Sequence, residues 1–128
     1  MKTVEGKCTL YGLKNYDSVI NKIVEELGLM ESLFDIKLIL TEALTNAYKH
    51  GNNEDRNKPI IVNYSFDGTN LTFHIVDCGV SEEILSVPEE LKDEDILKEG
   101  GKGLFLLKCL CDKVEFFKNT LVIKKVFA

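Results

Sequence analysis

Three short stretches of the chain carry side chains able to do chemistry at spacings that bring them together. Glu42 and Asn46 lie four apart in a helical pattern, so they stack on one helix face. At about 100° per residue that face is roughly a third of a turn from the apolar stripe, and it is flanked by Leu38 and Ile39. A carboxylate beside apolar neighbours can take a proton from a hydroxyl or a water, and an amide oxygen is a hard ligand suited to Mg²⁺. The same pair also reads as polar decoration at the edge of a packed helix. Lys49 and His50, one turn on, either face a phosphate or sit at the helix C-terminus, where the dipole favours cations.

Asp77 continues the alternation of Leu71, Phe73 and Ile75 and so points toward their apolar face. Burying a carboxylate without a donor costs on the order of several kcal/mol. Asp77 therefore needs a partner, which is a capped backbone, a basic side chain or a ligand's amino group. Gly79 lets the backbone turn away or lie flat against a ligand, although an Asp-x-Gly turn closing a strand fits the same residues. The third stretch is Gly100-Gly101-Lys102-Gly103 ahead of an apolar helix. Glycines permit close approach, helix N-terminal N–H groups attract phosphate, and Lys102 adds a full charge. The P-loop spacing GxxxxGK[ST] is absent, and a tight turn packing a helix close to a sheet is the competing reading.

The apolar periodicities supply the elements that must hold these residues. Lys7 to Leu10 suits an edge strand. Val19, Ile20, Ile23, Val24 and Leu27 form a helical stripe stopped by Gly28. A second helix, from near Glu31 to His50, carries the stripe Ile36, Leu40, Ala43, Leu44 and Ala47 and ends at Gly51-Asn52-Asn53. Ile60, Val62, Tyr64 and Phe66 alternate with Ile61, Asn63 and Ser65; Asp67-Gly68-Thr69-Asn70 turns the chain, and Leu71 to Asp77 returns as a hairpin. Val80 to Glu99, charged and broken by Pro88, exceeds the ~12–15 residues usual for unstructured connections and reads as a lid or binding loop. A helix from Leu104 to Cys111 and strands at Val114 to Phe117 and Thr120 to Phe127 follow. This order predicts an α+β fold, a two-layer α/β sandwich whose mixed, mostly antiparallel sheet is covered on one face by helices.

A length of 128 residues fits one domain, 1–128. The net charge of -5 opposes a mainly electrostatic grip on nucleic acid or anionic lipid, so any anion must be bound locally. No apolar run nears the ~18 residues of a membrane span, and the opening MKTVEGKCTL lacks the core of a signal peptide, which points to a cytoplasmic protein. Cys8, Cys78, Cys109 and Cys111 have neither the paired CxxC spacing of a zinc site nor the pattern of a small disulfide scaffold, and read as free thiols.

Taken in order, Glu42-Ala43-Leu44-Thr45-Asn46-Ala47-Tyr48-Lys49-His50-Gly51 resembles the N box, Asp77-Cys78-Gly79 the G1 box, and Gly101-Lys102-Gly103-Leu104 the G2 box of the Bergerat-fold (GHKL) ATPase superfamily. The resemblance runs from Leu33 to Lys125, and three boxes in the right order are far more specific than any one. The short chain, with no phosphoacceptor helix hairpin, is most similar to the anti-sigma factor serine kinases of the RsbW and SpoIIAB type. What the resemblance implies is a Bergerat ATP-binding fold with an ATP lid at about residues 80–100, ATP and Mg²⁺ as cofactors, and a homodimer. Its implied partners are a sigma factor, which is sequestered, and an anti-anti-sigma (STAS-domain) protein, which is phosphorylated on serine; no direct contact with nucleic acid or membrane is implied. By the same resemblance Glu42 is the general base, Asn46 holds Mg²⁺, and Asp77 accepts a hydrogen bond from the adenine amino group. Gly79 lies against the adenine, Thr120 adds a contact near the base, Lys49 sits near the terminal phosphates, and Gly101, Lys102, Gly103 and Leu104 bind phosphates.

The chain departs from the family pattern in two places. Ser81 or its neighbour stands where a second glycine is usual, and the lid has no arginine, since Arg56 is the only one; Lys98 or Lys102 is left to complete the γ-phosphate site. A nucleotide-gated binding switch without kinase activity and a detached histidine kinase domain are the alternatives. Glu42 argues against the second, because histidine kinases commonly carry Asn there.

Overall fold

The computed structural model describes residues 3–79, 84–85 and 101–127, with the backbone alone at 84–85 and 101–104. In chain order the elements are β1 (Val4–Tyr11), α1 (Tyr16–Leu27), a single 3₁₀ turn (Met30–Ser32), α2 (Leu33–Asn46) and a π-type turn (Ala47–Gly51). The hairpin β2 (Pro59–Phe66) and β3 (Asn70–Val76) comes next, then the two-residue β4 (Ile84–Leu85), α3 (Gly101–Leu110), and the hairpin β5 (Lys113–Phe117) and β6 (Thr120–Val126). The strands form one sheet in the order β1-β2-β3-β6-β5-β4. Every described ladder is antiparallel, so the expected mixed sheet has no parallel pair among the described residues. β1 is the expected edge strand, longer at both ends than Lys7 to Leu10.

The register explains why one face of the sheet is apolar. Val62, Ile75 and Leu121 stand opposite one another, and Tyr64, Phe73 and Ile123 fill the next inward row. All six are buried. Over them lie Ile20, Ile23, Val24 and Leu27 of α1, the stripe of α2, and Leu107 of α3. α2 packs between α1 and α3. That double contact widens its buried stripe: Ile39, expected beside the polar pair, is only 1% exposed and belongs to the core with Ile36, Leu40, Ala43 and Leu44.

The element ends have local causes. α1 stops where Gly28 turns left-handed (φ 73°), its N–H bonding to Glu25 O and the N–H of Leu29 to Val24 O, each 3.1 Å. This is the Schellman arrangement that glycine makes without strain. The β2–β3 turn is closed by Asp67, whose Oδ1 accepts the N–H groups of Asn70 (2.7 Å) and Thr69 (2.9 Å). Those donors, with the Asn70 side chain, hold its carboxyl down at about 2. α3 starts at Gly101, three residues before the predicted Leu104, so the glycines form its first turn rather than a loop before it. No helix among the described residues is long and apolar enough to cross a membrane. The lid expected at about residues 80–100, with Ser81 and Lys98, lies outside the described residues apart from the backbone of 84–85, which pairs with β5.

Candidate functional site

α2 carries the first site residues. Glu42 and Asn46 are both half-buried one turn apart, beside the fully buried Ala43 and Ala47. The regular helix ends at Asn46, not at His50 as expected. Beyond it comes one widened turn, closed by a bond from the Asn52 N–H to Ala47 O (2.8 Å). Such π-type turns insert a residue and so redirect the chain that leaves the helix. Here the extra residue leaves Lys49 and His50 exposed and swings Asn52 inward, where it has no solvent exposure at all. The chain then passes through left-handed Asn53 and Glu54 (φ 51° and 60°), tied back by the Glu54 N–H to Tyr48 O at 2.8 Å.

Asp77 stands at the end of β3 with 5% exposure, on the apolar side its parity predicts. Its Oδ1 accepts the Gly79 N–H at 2.7 Å. Gly51, the last residue of the widened turn, lies directly on the carboxylate: a Cβ there would fall inside the Asp77 side chain. A Cβ on Gly79 would come within 2.8 Å of Gly51 O and 2.9 Å of Asp77 Oδ1. The two glycines therefore form side-chain-free walls that permit this close approach. Burial raises the Asp77 carboxyl above its ordinary value, and the Gly79 N–H opposes that shift. The result is a sheltered acceptor, matched to a ligand that brings an N–H group.

Two residues that the sequence pattern does not single out hold this corner. Asn52 donates through Nδ2 to Lys58 O and Pro59 O, both at 3.2 Å, and accepts the Cys78 N–H on Oδ1 at 2.7 Å. It thereby joins the end of α2, the entry to β2 and the Asp77-Cys78-Gly79 corner. Asn119, in the β5–β6 turn, accepts the Asp77 N–H on its backbone oxygen (3.0 Å) and donates from Nδ2 to Asp77 O (2.8 Å). Thr120 is next in the chain, paired with Val76 and with Oγ1 3.4 Å from Asn119 Oδ1, so it flanks Asp77 on the neighbouring strand. In the sequence Asn52 looks like part of a helix stop, and nothing along the chain separates it from Asn53; only the fold sends one inward and the other out.

The structure thus brings Gly51, Asp77 and Gly79 into direct contact, sets Thr120 beside them, and reaches Glu42, Asn46 and Lys49 along one continuous segment. Gly101, Lys102, Gly103 and Leu104 form the first turn of α3, whose body packs on α2. The first N–H groups of a helix have no intrahelical acceptor, so this turn presents backbone donors to an anion. The donor types fit a nucleotide: a buried acceptor suits a base amino group, and helix N–H groups, an amide oxygen and a carboxylate suit phosphates and a hard cation. No cluster of three His, Cys, Asp or Glu arranged for a metal occurs among the described residues.

Residues 13–125 match the family model described as a histidine kinase-like ATPase domain. Similar relatives carry the name serine-protein kinase RsbW. The one from Staphylococcus aureus (strain JH9) is 34% identical over 97 residues, 70% of this chain and 61% of that protein. That from Oceanobacillus iheyensis is 32% identical over 91 residues, 66% and 58% of the two chains. That from Listeria innocua is 29% identical over 93 residues, 68% and 59%. The matches span about three-fifths of the length of these curated relatives.

Proposed function

Because the chain belongs to the histidine kinase-like ATPase domain family, we propose that it is an ATP-dependent serine kinase that sequesters a sigma factor and phosphorylates an anti-anti-sigma (STAS-domain) partner. The kinase part follows the names of its relatives. The observation that carries the nucleotide part is the buried Asp77 carboxylate between Gly79 and Gly51, the second of which ends the segment that continues from Glu42 and Asn46. The contact of Gly51 with Asp77 ties the end of that segment to the base end of the ligand.

In this reading Asp77 accepts the adenine amino group, Gly79 lies against the ring and Thr120 contacts its edge. The N–H groups of Gly101, Lys102, Gly103 and Leu104 hold phosphate oxygens, and Lys49 faces the terminal phosphates. The Asn46 amide oxygen would hold Mg²⁺, which neutralises charge on the phosphates when bound. Glu42 orients the acceptor serine and takes its hydroxyl proton as the serine oxygen–phosphorus bond forms and the bond from the γ-phosphorus to the bridging oxygen breaks. ADP leaves with that electron pair. Such transfer rests mainly on positioning and electrostatics, which a small set of groups can supply.

The test is paired measurement of ATP affinity and single-turnover transfer to a STAS-domain acceptor. Glu42→Ala should slow transfer by roughly 10²–10⁴-fold, the usual worth of a general base, with little change in affinity. Unchanged transfer would remove Glu42 from the chemistry. ATP binding by wild type with no phosphorylated acceptor would mark a nucleotide-gated binding module instead.

A further inference from the structure

A groove of about 490 Å³ separate from the Asp77 corner is lined by Tyr11, Gly12, Leu13, Lys14, Tyr48 and Arg56. It is built where the β1–α1 connection meets the turn and loop after α2. We propose that this groove docks an acidic segment of the protein acceptor, placing that acceptor beside the phosphate end of the nucleotide site. The inference rests on the kinase reading above.

Charge is the first ground. The chain carries a net charge of -5, yet among the described residues the groove's only charged lining residues are the cations Lys14 and Arg56. Neither has an ion-pair partner among the described residues. Of the acids nearby in sequence, Asp55 Oδ1 caps the Asn57 N–H at 2.9 Å and Asp17 pairs with Lys37, while the exposed Glu54 is not among the residues that line the groove. A local reversal of sign in an acidic protein selects a partner segment of carboxylates or phosphates.

Preorganisation is the second. Arg56 is the only arginine of the chain, and its stem lies on Gly12, where a Cβ would come 3.3 Å from Arg56 Cγ. Gly12 is left-handed (φ 66°) and leaves that space open. The loop bearing Arg56 is fastened by the Glu54 N–H to Tyr48 O and the Asp55 N–H to Asn52 O. A guanidinium held by its stem loses less entropy on pairing with a carboxylate than a free lysine would. Tyr11, 58% exposed, and half-buried Tyr48 add the aromatic surface that with arginine dominates protein interfaces.

Location is the third. Tyr48 lies in the widened turn that also carries Lys49 and follows Asn46, so the groove and the residues assigned to the terminal phosphates are built on one segment of the chain.

The test uses the full chain and fluorescein-labelled peptides with a central serine flanked by three glutamates on each side, or by glutamines as the control, read by fluorescence anisotropy. The acidic peptide should bind at least tenfold more tightly than the control. Lys14→Gln and Arg56→Gln should each weaken it by up to about fivefold, and together by about tenfold, the range expected for exposed charge pairs. Both residues are exposed, and ATP affinity should stay within twofold. Equal binding of the two peptides, or unchanged binding by the double variant, would overturn the inference. So would displacement by inorganic phosphate or by a thymidine oligonucleotide at equal concentration, or loss of a dimer in sedimentation on substitution of Arg56. Charge-dependent peptide binding in a protein that binds no ATP would leave the groove standing and remove the kinase reading.

Discussion

Replacing Asn52 by alanine tests the account of how the Asp77 corner is held. The change leaves the Cys78 N–H without its acceptor and takes a donor from Lys58 O and Pro59 O, all around a side chain with no exposure. An orphaned buried donor costs about 1–3 kcal/mol. The carbonyls cost less, since each has a second lone pair and Pro59 O keeps a weak contact with Cys78 Sγ at 3.5 Å. The sum is about 2–4 kcal/mol, a large share of the ~5–15 kcal/mol that stabilises a domain, and on a chain of this size it should lower Tm by roughly 8–15 °C. Urea and thermal melts of wild type, Asn52→Ala and Asn52→Asp are the assay. The aspartate keeps the acceptor but turns a carboxylate on two carbonyls, so it should be no better at neutral pH and should recover as acid restores a donor. Affinities for ATP and inosine triphosphate, in which an oxo group replaces the amino group, add a functional readout. Wild type should prefer ATP, and Asn52→Ala should narrow that preference if the Asp77 corner depends on it. A loss of less than about 0.5 kcal/mol with an unchanged nucleotide ratio would refute the reasoning.

Asp77→Asn should trade binding for stability. With the folded carboxyl raised above 3.8 by burial, the unfolded chain loses its proton first, so stability falls as pH climbs through that window and stays lower above it. The asparagine removes this slope and should melt no lower than wild type at pH 7 without nucleotide, while ATP affinity drops by about 1–3 kcal/mol; melting curves against pH and calorimetry decide. Asp67 has the opposite sign: held at about 2 by the Asn70 and Thr69 N–H groups, it stabilises above its ordinary value of 3.8, and that contribution is lost as pH falls toward 2. Asp67→Asn should flatten the acid limb of the stability curve, and a carboxyl resonance of Asp67 titrating near 3.8 would contradict the turn geometry.

Periodicity made much of this molecule legible. The α1 stripe with its Gly28 stop, the inward parity of Asp77 and the antiparallel hairpins follow from spacing alone, because side-chain direction in helices and strands is a local property. Ile39, a core residue read as flanking the polar pair, illustrates the limit. A helix pattern shows which face is apolar, but α2 meets neighbours on two sides, and only packing reveals how wide its buried face is.

The sequence alone determined the order of elements, the two-residue β4 excepted, and the residue types capable of nucleotide chemistry, since both are encoded in runs of ten or twenty residues. Tertiary structure decided how those residues are fixed. The widened turn after Asn46, the inward swing of Asn52 and the grip of Asn119 on Asp77 depend on segments 26 and 42 residues apart meeting at one corner. Two adjacent asparagines with the same propensities end in opposite environments, Asn52 buried and Asn53 exposed, because unpaired buried N–H and C=O groups from distant segments must find partners, and the fold supplies only one side chain within reach.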